Sequence, residues 1–352
     1  FTEFKIYNAQ GQIYTPVDSQ LLLSYKESES GQILEEGISE AGAMSSFTAA
    51  GTAYSTVGKP TIPFYIYYSM FGFQRVGDQI WCAADSRAKG FLLGATAGRT
   101  TLNGEGLQHQ DGHSLLTSST VPNCVSYDAA FAYEIGIIVK EGLRRMYENN
   151  EDIFYYLTLY NENYSMPSIP KNSEEGIIKG IYKFKSVTKP QIRLIGSGSI
   201  MQQVLEADKI LSKLGIKSEI WSATSFGGLR RDAMECERWN LLNPSKKQKI
   251  PYISKIMGNS ELVSIAATDH MKAVPDMIKG WVPGNYVSLG TDGFGRSDTR
   301  ESLRKFFEID ANNIAAAAIS TLQTEGKMTK AKAEEALKTL DVDFEAPDPS
   351  KN

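Results

Sequence analysis

The sequence predicts an α/β protein in which a parallel, doubly wound sheet is followed by a second, smaller α/β domain. Two observations support this prediction. Short runs rich in β-branched and aromatic residues, typical of strands, alternate with segments of helical spacing. The connections between successive strands are long enough for the crossovers that parallel strands need. A chain of 352 residues also has room for two domains with cores of their own.

Four strands are predicted in the first half of the chain. They are the runs TIPFYIYYS (61–69), GFLLGATAG (90–98), VPNCVSYD (121–128) and DIFYYLTLYN (152–161), and the first is interpreted as a buried strand. Helices are predicted from Gly31 to Thr56 and over residues 70–88 and 129–149, after a turn-rich opening segment over 1–30. In the helix over 70–88, the apolar positions at helical spacing are Phe73, Val76, Ile80 and Trp81.

A change of composition marks the predicted domain boundary. The segment SMPSIPKNS, residues 165–173, has two prolines in a short span. We therefore predict domains over 1–168 and 169–352. The strands predicted in the second domain are IRLIGSGS (192–199), SEIWSATSF (218–226), ELVSIAATDH (261–270) and YVSLGTDGFG (286–295), with helices over 200–214, 313–323 and 327–340.

Composition excludes several classes of function. The chain carries 37 basic and 41 acidic residues, so it has no net positive charge to attract a polyanion. No nucleic-acid partner is therefore predicted. Cys82, Cys124 and Cys236 show no CxxC spacing, which argues against a zinc knuckle or a redox pair and fits a reducing cytoplasm. The apolar runs are far shorter than the roughly 20 residues of a membrane span. A soluble, cytoplasmic protein with no membrane contact is the prediction.

Glu40 is the residue on which the functional prediction is built. In the helix predicted from Gly31, Glu40 lies in an apolar stripe with Ile33, Met44 and Phe47. A carboxylate in such a stripe must be paired, hydrogen-bonded or protonated, because burying an isolated charge costs on the order of several kcal/mol. An ion pair with a distant Arg or Lys satisfies this requirement, and so does a catalytic role. The pattern of the helix leaves both open.

Two strand ends carry candidate site residues, and ligands bind at the carboxyl ends of strands in open parallel sheets. Tyr68 and Phe71 follow the first predicted strand, with Arg75 just beyond. Aromatic side chains at a strand end can stack on a flat heterocycle, or they can belong to the core.

The loop after the second strand, residues 99–119, contains His109 and His113 together with Glu105 and Asp111. This concentration of histidines and acids predicts an acid–base site. Two alternatives remain. The histidines are four residues apart and could ligate a metal, although Gly112 and the GEG sequence weaken a helix there and no HExxH motif is present. They could also be ordinary polar loop residues.

Two further motifs indicate little function. The GSGS turn at 196–199 lacks the full GxGxxG pattern of a dinucleotide-binding loop. In GTDGFGRSD, residues 290–298, a tight turn is predicted to lead into a helix with Ser297 or Asp298 as its N-cap.

Several stretches together resemble one family. They are EEGISEAGA, FYIYYSMFGFQRVGDQ, GRTTLNGEGLQHQDGHS, PNCVSYD, LYNENYSMP, the GSGS turn, SFGGLRRDAMECERWN and GTDGFGRSDTRESLR. The combination is similar to the homodimeric, bacterial-type decarboxylating component of the pyruvate dehydrogenase complex, a thiamine diphosphate enzyme of the transketolase superfamily. The resemblance covers essentially the whole chain and matches the carboxyl-terminal portion of the family. It implies a partial pyrimidine-binding domain followed by a transketolase C-terminal-like domain.

The resemblance assigns roles to individual residues. It implies that Glu40 hydrogen-bonds the aminopyrimidine of thiamine diphosphate, that Phe71 packs on that ring with Tyr68 and Arg75 near it, and that Ile38 helps to hold the cofactor bent. It places His109 on the substrate side, supported by Glu105, with His113 less clearly assigned because Leu115 stands where some relatives have another histidine.

The same resemblance implies what lies outside the chain. The Gly-Asp-Gly motif followed some two dozen residues later by Asn-Asn, which holds Mg²⁺ and the diphosphate in the family, does not occur here. We therefore expect no metal ligands in this chain, and we interpret a chain that begins at Phe1 as a piece of a longer protein. The implied partners are a second copy of the chain and the lipoyl-bearing dihydrolipoyl acetyltransferase component.

Two alternative functions are carried forward. The chain by itself could be a non-catalytic dimerisation module, since the magnesium motif is missing. It could also belong to a transketolase-superfamily enzyme that acts on sugars, for which more basic residues are expected around the substrate loop than Arg99 alone.

Overall fold

A computed structural model describes residues 3–18, 21, 26–258 and 261–351. Part of the turn-rich opening segment, including Phe1, lies outside the described residues. The remainder of that segment forms two short parallel strands, β1 (Ile6–Tyr7) and β2 (Glu27–Ser28). No helix in the described part of the chain is long and apolar enough to cross a lipid bilayer.

The first large sheet has four parallel strands. They are β3 (Phe64–Tyr67), β4 (Phe91–Ala95), β5 (Cys124–Asp128) and β6 (Phe154–Leu159), and their spatial order is β3-β4-β6-β5. The helices associated with this sheet are α1 (Glu40–Gly51), α2 (Ala53–Thr56), α3 (Phe73–Asp85), α4 (Ser114–Ser118) and α5 (Ala132–Leu143). The parallel arrangement confirms the predicted fold class.

The predicted helix from Gly31 is wrong in its first third. The helix begins at Glu40, because Gly37 adopts a left-handed conformation at φ +66° and the side chain of Ser39 caps the first turn by accepting from Gly42 N at 3.2 Å. Residues before Ser39 therefore do not share the helical stripe. Ile38 is 100% exposed and Leu34 is 56% exposed.

Two other predictions about the first sheet are wrong. The first large strand is an edge strand rather than a buried one, so Phe64 and Ile66 are exposed and only Tyr67 is buried. In α3, Trp81 is 51% exposed although Phe73, Val76 and Ile80 are buried. Trp81 follows Ile80 directly, and a single step along a helix turns a side chain by roughly 100°, away from the buried face.

The second large sheet has five strands, β7 (Ile181–Lys185), β8 (Ile192–Gly196), β9 (Ser218–Ala223), β10 (Val263–Ala267) and β11 (Tyr286–Leu289). Their order is β11-β10-β8-β9-β7, and all pairs are parallel except β7 with β9. The associated helices are α6 (Glu174–Lys179), α7 (Met201–Lys213), α8 (Phe226–Leu242), α9 (Tyr252–Met257), α10 (Ala273–Asp276), α11 (Arg300–Phe306), α12 (Ala311–Thr324) and α13 (Lys330–Leu337).

The sequence patterns missed β7 and α8. The run of β7 is only five residues long and includes two lysines. The helical signal of α8 is weakened by Gly227 and Gly228 in its first turn, although Ser225 caps it by accepting from Gly228 N at 2.9 Å. The predicted cap of α11 is also wrong by one residue, since Thr299 rather than Asp298 accepts from Ser302 N.

The two large sheets share one buried interior. A cluster of buried side chains runs from Met44 and Tyr156 of the first sheet region to Trp221 and Phe226 of the second. Backbone hydrogen bonds also join the strand ends, with Asp128 N donating to Thr224 O at 2.7 Å. The carboxyl ends of both sheets therefore lie close together, and the loops that leave them meet.

Candidate active site

Three rings form a cluster where β3 and β4 end. Tyr68 precedes the turn Ser69–Phe71 after β3, and Phe71 is the last residue of that turn. The loop after β4 brings His109 to them. The His109 ring centroid is 5.0 Å from that of Phe71 and 5.1 Å from that of Tyr68. Because β3 and β4 are hydrogen-bonded neighbours, their carboxyl ends are adjacent and the two loops meet. The cluster thus unites residues that are about forty positions apart in the sequence.

A carboxylate and a guanidinium join this cluster. Arg75 Nη1 donates to Glu40 Oε1 at 2.9 Å, and the Arg75 guanidinium lies 4.1 Å from the centroid of the Phe71 ring. The Glu40 side chain is 18% exposed, whereas that of Arg75 is 50% exposed. The ion pair left open by the sequence is therefore present, and its arginine comes from the helix that follows the aromatic turn.

His109 has an unused nitrogen. Its Nδ1 atom is buried and has no hydrogen-bond partner among the described residues, and the nearest carboxylate oxygen, Glu105 Oε2, lies at 3.5 Å. A buried ring nitrogen without a partner is uncommon, because the lost hydrogen bond with water is not replaced. Nδ1 therefore faces Glu105 inside the loop, and a ligand would meet the other ring nitrogen, Nε2.

His113 and Ile38 are placed differently from the other predicted site residues. His113 Nε2 lies 3.0 Å from Gln74 Nε2, and burial lowers the pKa of its imidazole more than the neighbouring Asp111 raises it. Leu115 is a buried core residue. Ile38 is fully exposed just before α1. No group of three potential metal ligands occurs in the described ranges, and His109 and His113 make separate contacts.

Asp111 is a central residue that the sequence identified only as one acid among several. Its carboxylate is fully buried and accepts hydrogen bonds from the hydroxyls of Ser69 and Ser114, from Gln74 Nε2, and from the backbone N–H groups of His113 and Ser114. Burial alone raises the pKa of this carboxyl, but the charge of His270 and the hydrogen bonds outweigh burial and lower it. Asp111 thereby links the aromatic turn to the histidine loop. The DGHS sequence, with its Asp three residues before a Ser, is the signal for such a turn.

A second buried group lies between the two sheets. His270, directly after β10, lies 3.8 Å from Asp128 Oδ1 at the end of β5, and Tyr160 donates to the same carboxylate. The pKa of His270 is raised, because Asp128 and two further carboxylates outweigh the effect of burial, and the pKa of Asp128 is lowered despite its burial. Both shifts favour a charged pair. The signal available in the sequence was a histidine at a strand end, within the predicted strand 261–270.

A cavity of about 340 Å³ lies elsewhere, between α8 and the segment around β5. Arg231 lines it and donates to the carbonyls of Ser119, Val121 and Cys124, while Asp232 accepts from Tyr252 N. Arg231 is thus engaged in joining the two halves of the chain, and Asp232 in holding α9. The ring cluster, which joins a carboxylate, two aromatic rings and a histidine, is the better candidate site.

Comparison with protein families matches both halves of the chain. Residues 1–167 match the pyruvate dehydrogenase E1 component middle domain, and residues 180–310 match the transketolase-like C-terminal domain. Over 354 aligned positions, the chain is 51% identical to the pyruvate dehydrogenase E1 component of Pseudomonas aeruginosa and 50% identical to that of Escherichia coli. Each alignment covers 99% of this chain and 40% of the relative. The chain thus spans about two fifths of the length of these relatives.

Solved structures with a similar fold are transketolases. A transketolase variant from Pichia stipitis superimposes with a TM-score of 0.65 at 18% identity, over 86% of this chain and 39% of that chain. Transketolase from Leishmania mexicana gives a TM-score of 0.62 at 17% identity, over 97% and 44%. At these identities the likeness shows the fold alone, and it agrees with the predicted pair of α/β domains.

Proposed function

Since residues 1–167 match the pyruvate dehydrogenase E1 component middle domain and residues 180–310 match the transketolase-like C-terminal domain, we propose that the chain forms the aminopyrimidine-binding half of a thiamine diphosphate site. The enzyme containing it decarboxylates pyruvate and transfers the acetyl group to the lipoyl group of the acetyltransferase component. The observation that carries this proposal is the convergence of Glu40, Phe71 and His109 from three separate segments.

The residues of the cluster fit an aminopyrimidine ring. Tyr68 and Phe71 offer aromatic surface, and the Glu40 carboxylate offers an acceptor. The ion pair with Arg75 uses Glu40 Oε1, so Oε2 is the oxygen that would meet the ring. When bound, thiamine diphosphate supplies the electron sink for decarboxylation of a 2-oxo acid.

Each protein group has a defined task in this proposal. Arg75 holds the Glu40 carboxylate in place, so that Glu40 can hold or move a proton at its free oxygen. His109 presents Nε2 on the substrate side, while Nδ1 lies 3.5 Å from Glu105 Oε2, close enough for Glu105 to orient the ring. His113, held among Gln74 and Asp111, is assigned a supporting place beside them.

The ligands of Mg²⁺ and of the diphosphate are assigned to a part of the protein outside this chain, because their motif does not occur in the sequence. We also propose a homodimer. The edge strand β3 exposes Phe64 and Ile66, and Tyr68 directly after it is exposed as well. Ile38 is fully exposed two residues before α1. Apolar side chains along an open sheet edge are typical of a surface that a partner covers.

The test is pyruvate-dependent acetyl transfer to a lipoyl domain by the full-length protein. Glu40→Gln is expected to lower kcat by a factor of about 100 or more, the scale of lost acid–base catalysis. Glu35→Gln, at an exposed carboxylate shortly before α1, is the matched control and should leave kcat unchanged. Full activity of Glu40→Gln would refute the proposed role.

One alternative is a non-catalytic dimerisation module. The lack of the magnesium motif favours it for the isolated chain. Calorimetry of this chain with thiamine diphosphate and Mg²⁺ distinguishes the two, because tight and metal-dependent binding would contradict a purely structural role.

A further inference from the structure

The loop that carries Glu105 and His109 is fixed at both ends by the segment after β10. At its start, the Asp269 carboxylate accepts four hydrogen bonds, from the backbone N–H and the hydroxyl of Thr100 and of Thr101, at 2.5 to 2.9 Å. At its end, Met271 N donates to Gly112 O at 2.8 Å. Between these anchors the loop must be positioned by other contacts.

The side chain of Gln110 supplies such contacts. It is 1% exposed, and its amide nitrogen donates to Leu102 O and to Arg296 O, both at 2.8 Å. Its amide oxygen accepts from Arg296 N at 2.6 Å. Both N–H groups and the oxygen of the Gln110 amide are therefore hydrogen-bonded, and every partner is a backbone group.

The facing loop approaches so closely that glycine is required. A Cβ atom at Gly295 would lie 2.4 Å from Gln110 Oε1 and 3.2 Å from Leu107 O. Two residues later, Ser297 Oγ donates to Glu105 O at 2.5 Å. We call Gln110, Gly295, Arg296 and Ser297 the clasp. It holds the loop on both sides of the turn Leu107–His109.

The position of His109 follows from this arrangement. Its backbone N–H donates to Gly106 O at 3.0 Å, so the ring is carried by a single short turn. That turn would shift relative to Phe71 if either flank were released. Resting on the function proposed above, we infer that Gln110 is a positioning residue, through which the C-terminal domain holds His109 against the ring cluster.

The chemistry of the amide explains why glutamine is needed. Glutamate at this position has the same shape but would direct a negative charge at the carbonyl oxygens of Leu102 and Arg296. Methionine has a similar length but would leave three backbone groups without a partner. Both variants should release the loop, whereas variants of the exposed Gln108 should not.

The first experiment is hydrogen exchange in the full-length protein, which needs no catalytic activity. In Gln110→Met, amides of residues 105–111 and 295–297 should exchange faster by about tenfold or more, since about tenfold corresponds to one hydrogen bond of ordinary strength and three are lost. Gln108→Met is the matched control and should exchange as the wild type does. Gly295→Ala perturbs the clasp from the opposite side and should give the same pattern. Unchanged exchange in both clasp variants would overturn the inference.

The second experiment distinguishes positioning of His109 from general support of the fold. Gln110→Met should lower kcat about tenfold with an unchanged Kd for thiamine diphosphate, and it should have no further effect when added to His109→Ala. Equal effects in the wild-type and His109→Ala backgrounds would overturn the inference and leave the proposed function intact. A wild-type protein that does not act on pyruvate would instead refute the proposed function, while the exchange result would still decide whether the clasp holds the loop.

Discussion

Removal of the Asp111 carboxylate should loosen the connection between the aromatic turn and the histidine loop. Asp111 is fully buried and accepts from five donors, two of them backbone N–H groups. In Asp111→Ala, the hydroxyls of Ser69 and Ser114, which are 3.3 Å apart, can bond to each other, but the two backbone groups lose their acceptor. At about 1 to 3 kcal/mol for each of the two unsatisfied groups, the free energy of unfolding should fall by about 2 to 6 kcal/mol.

Asp111→Asn should have a smaller effect. Its amide oxygen can still accept from the two backbone N–H groups, and its amide nitrogen can donate to the serine hydroxyls. Only the charge is lost, so a decrease of about 1 to 2 kcal/mol is expected. Urea unfolding followed by tryptophan fluorescence measures both variants, with Asp298→Asn as an exposed control that should stay within about 0.5 kcal/mol of the wild type. An Asp111→Ala protein as stable as the wild type would show that the hydrogen bonds do not hold the two segments together.

Two further predictions concern the His270–Asp128 pair between the two sheets and the edge strand β3. In His270→Asn the pair with Asp128 is lost. Because the pKa of His270 is raised in the fold, the stabilisation that this pair gives the wild type is complete below about pH 6.5. It disappears as the pH rises through the folded-state pKa of His270. The loss of stability should be about 3 kcal/mol at pH 6 and should shrink as the pH rises in thermal unfolding, and a difference that grows with pH would contradict the charged pair. Ile66→Glu places a charge on the exposed edge strand β3, so sedimentation equilibrium of the full-length protein should show a dimer weakened by about 100-fold or more, whereas a dimer as tight as the wild type would place the interface elsewhere.

The strand and helix patterns predicted the fold class because parallel strands are short apolar runs joined by crossovers. The strands of the first large sheet lie within the predicted runs. The position of a strand within its sheet is not a property of its own residues, and for that reason β3 was predicted to be buried although it forms the edge. The helix α1 was predicted to begin too early for a local reason. The apolar helical pattern starts near Gly31, but the left-handed Gly37 and the capping Ser39 prevent a helix before Glu40.

The candidate site could be predicted in part. Strand ends indicated Tyr68, Phe71 and His109, and the structure brings them together. The roles of Asp111 and Gln110 depend on which groups face them across the fold, and no spacing along the chain reveals those partners. The pairing of His270 could not be predicted for the same reason, because its carboxylate partner, Asp128, comes from the other sheet. The role toward the cofactor predicted for Glu40 likewise depended on the family resemblance, because the pattern of the helix also allowed an ion pair, which the structure forms with Arg75.

The measurement that tests the central claim most directly is deuterium exchange at the thiazolium carbon of thiamine diphosphate bound to the full-length protein. If Glu40 activates the aminopyrimidine, Glu40→Ala should slow this exchange by a factor of about 100 or more, with the cofactor still bound at saturation. Exchange in Glu40→Ala at the wild-type rate would show that Glu40 only pairs with Arg75, and the proposed role of the cluster would be wrong.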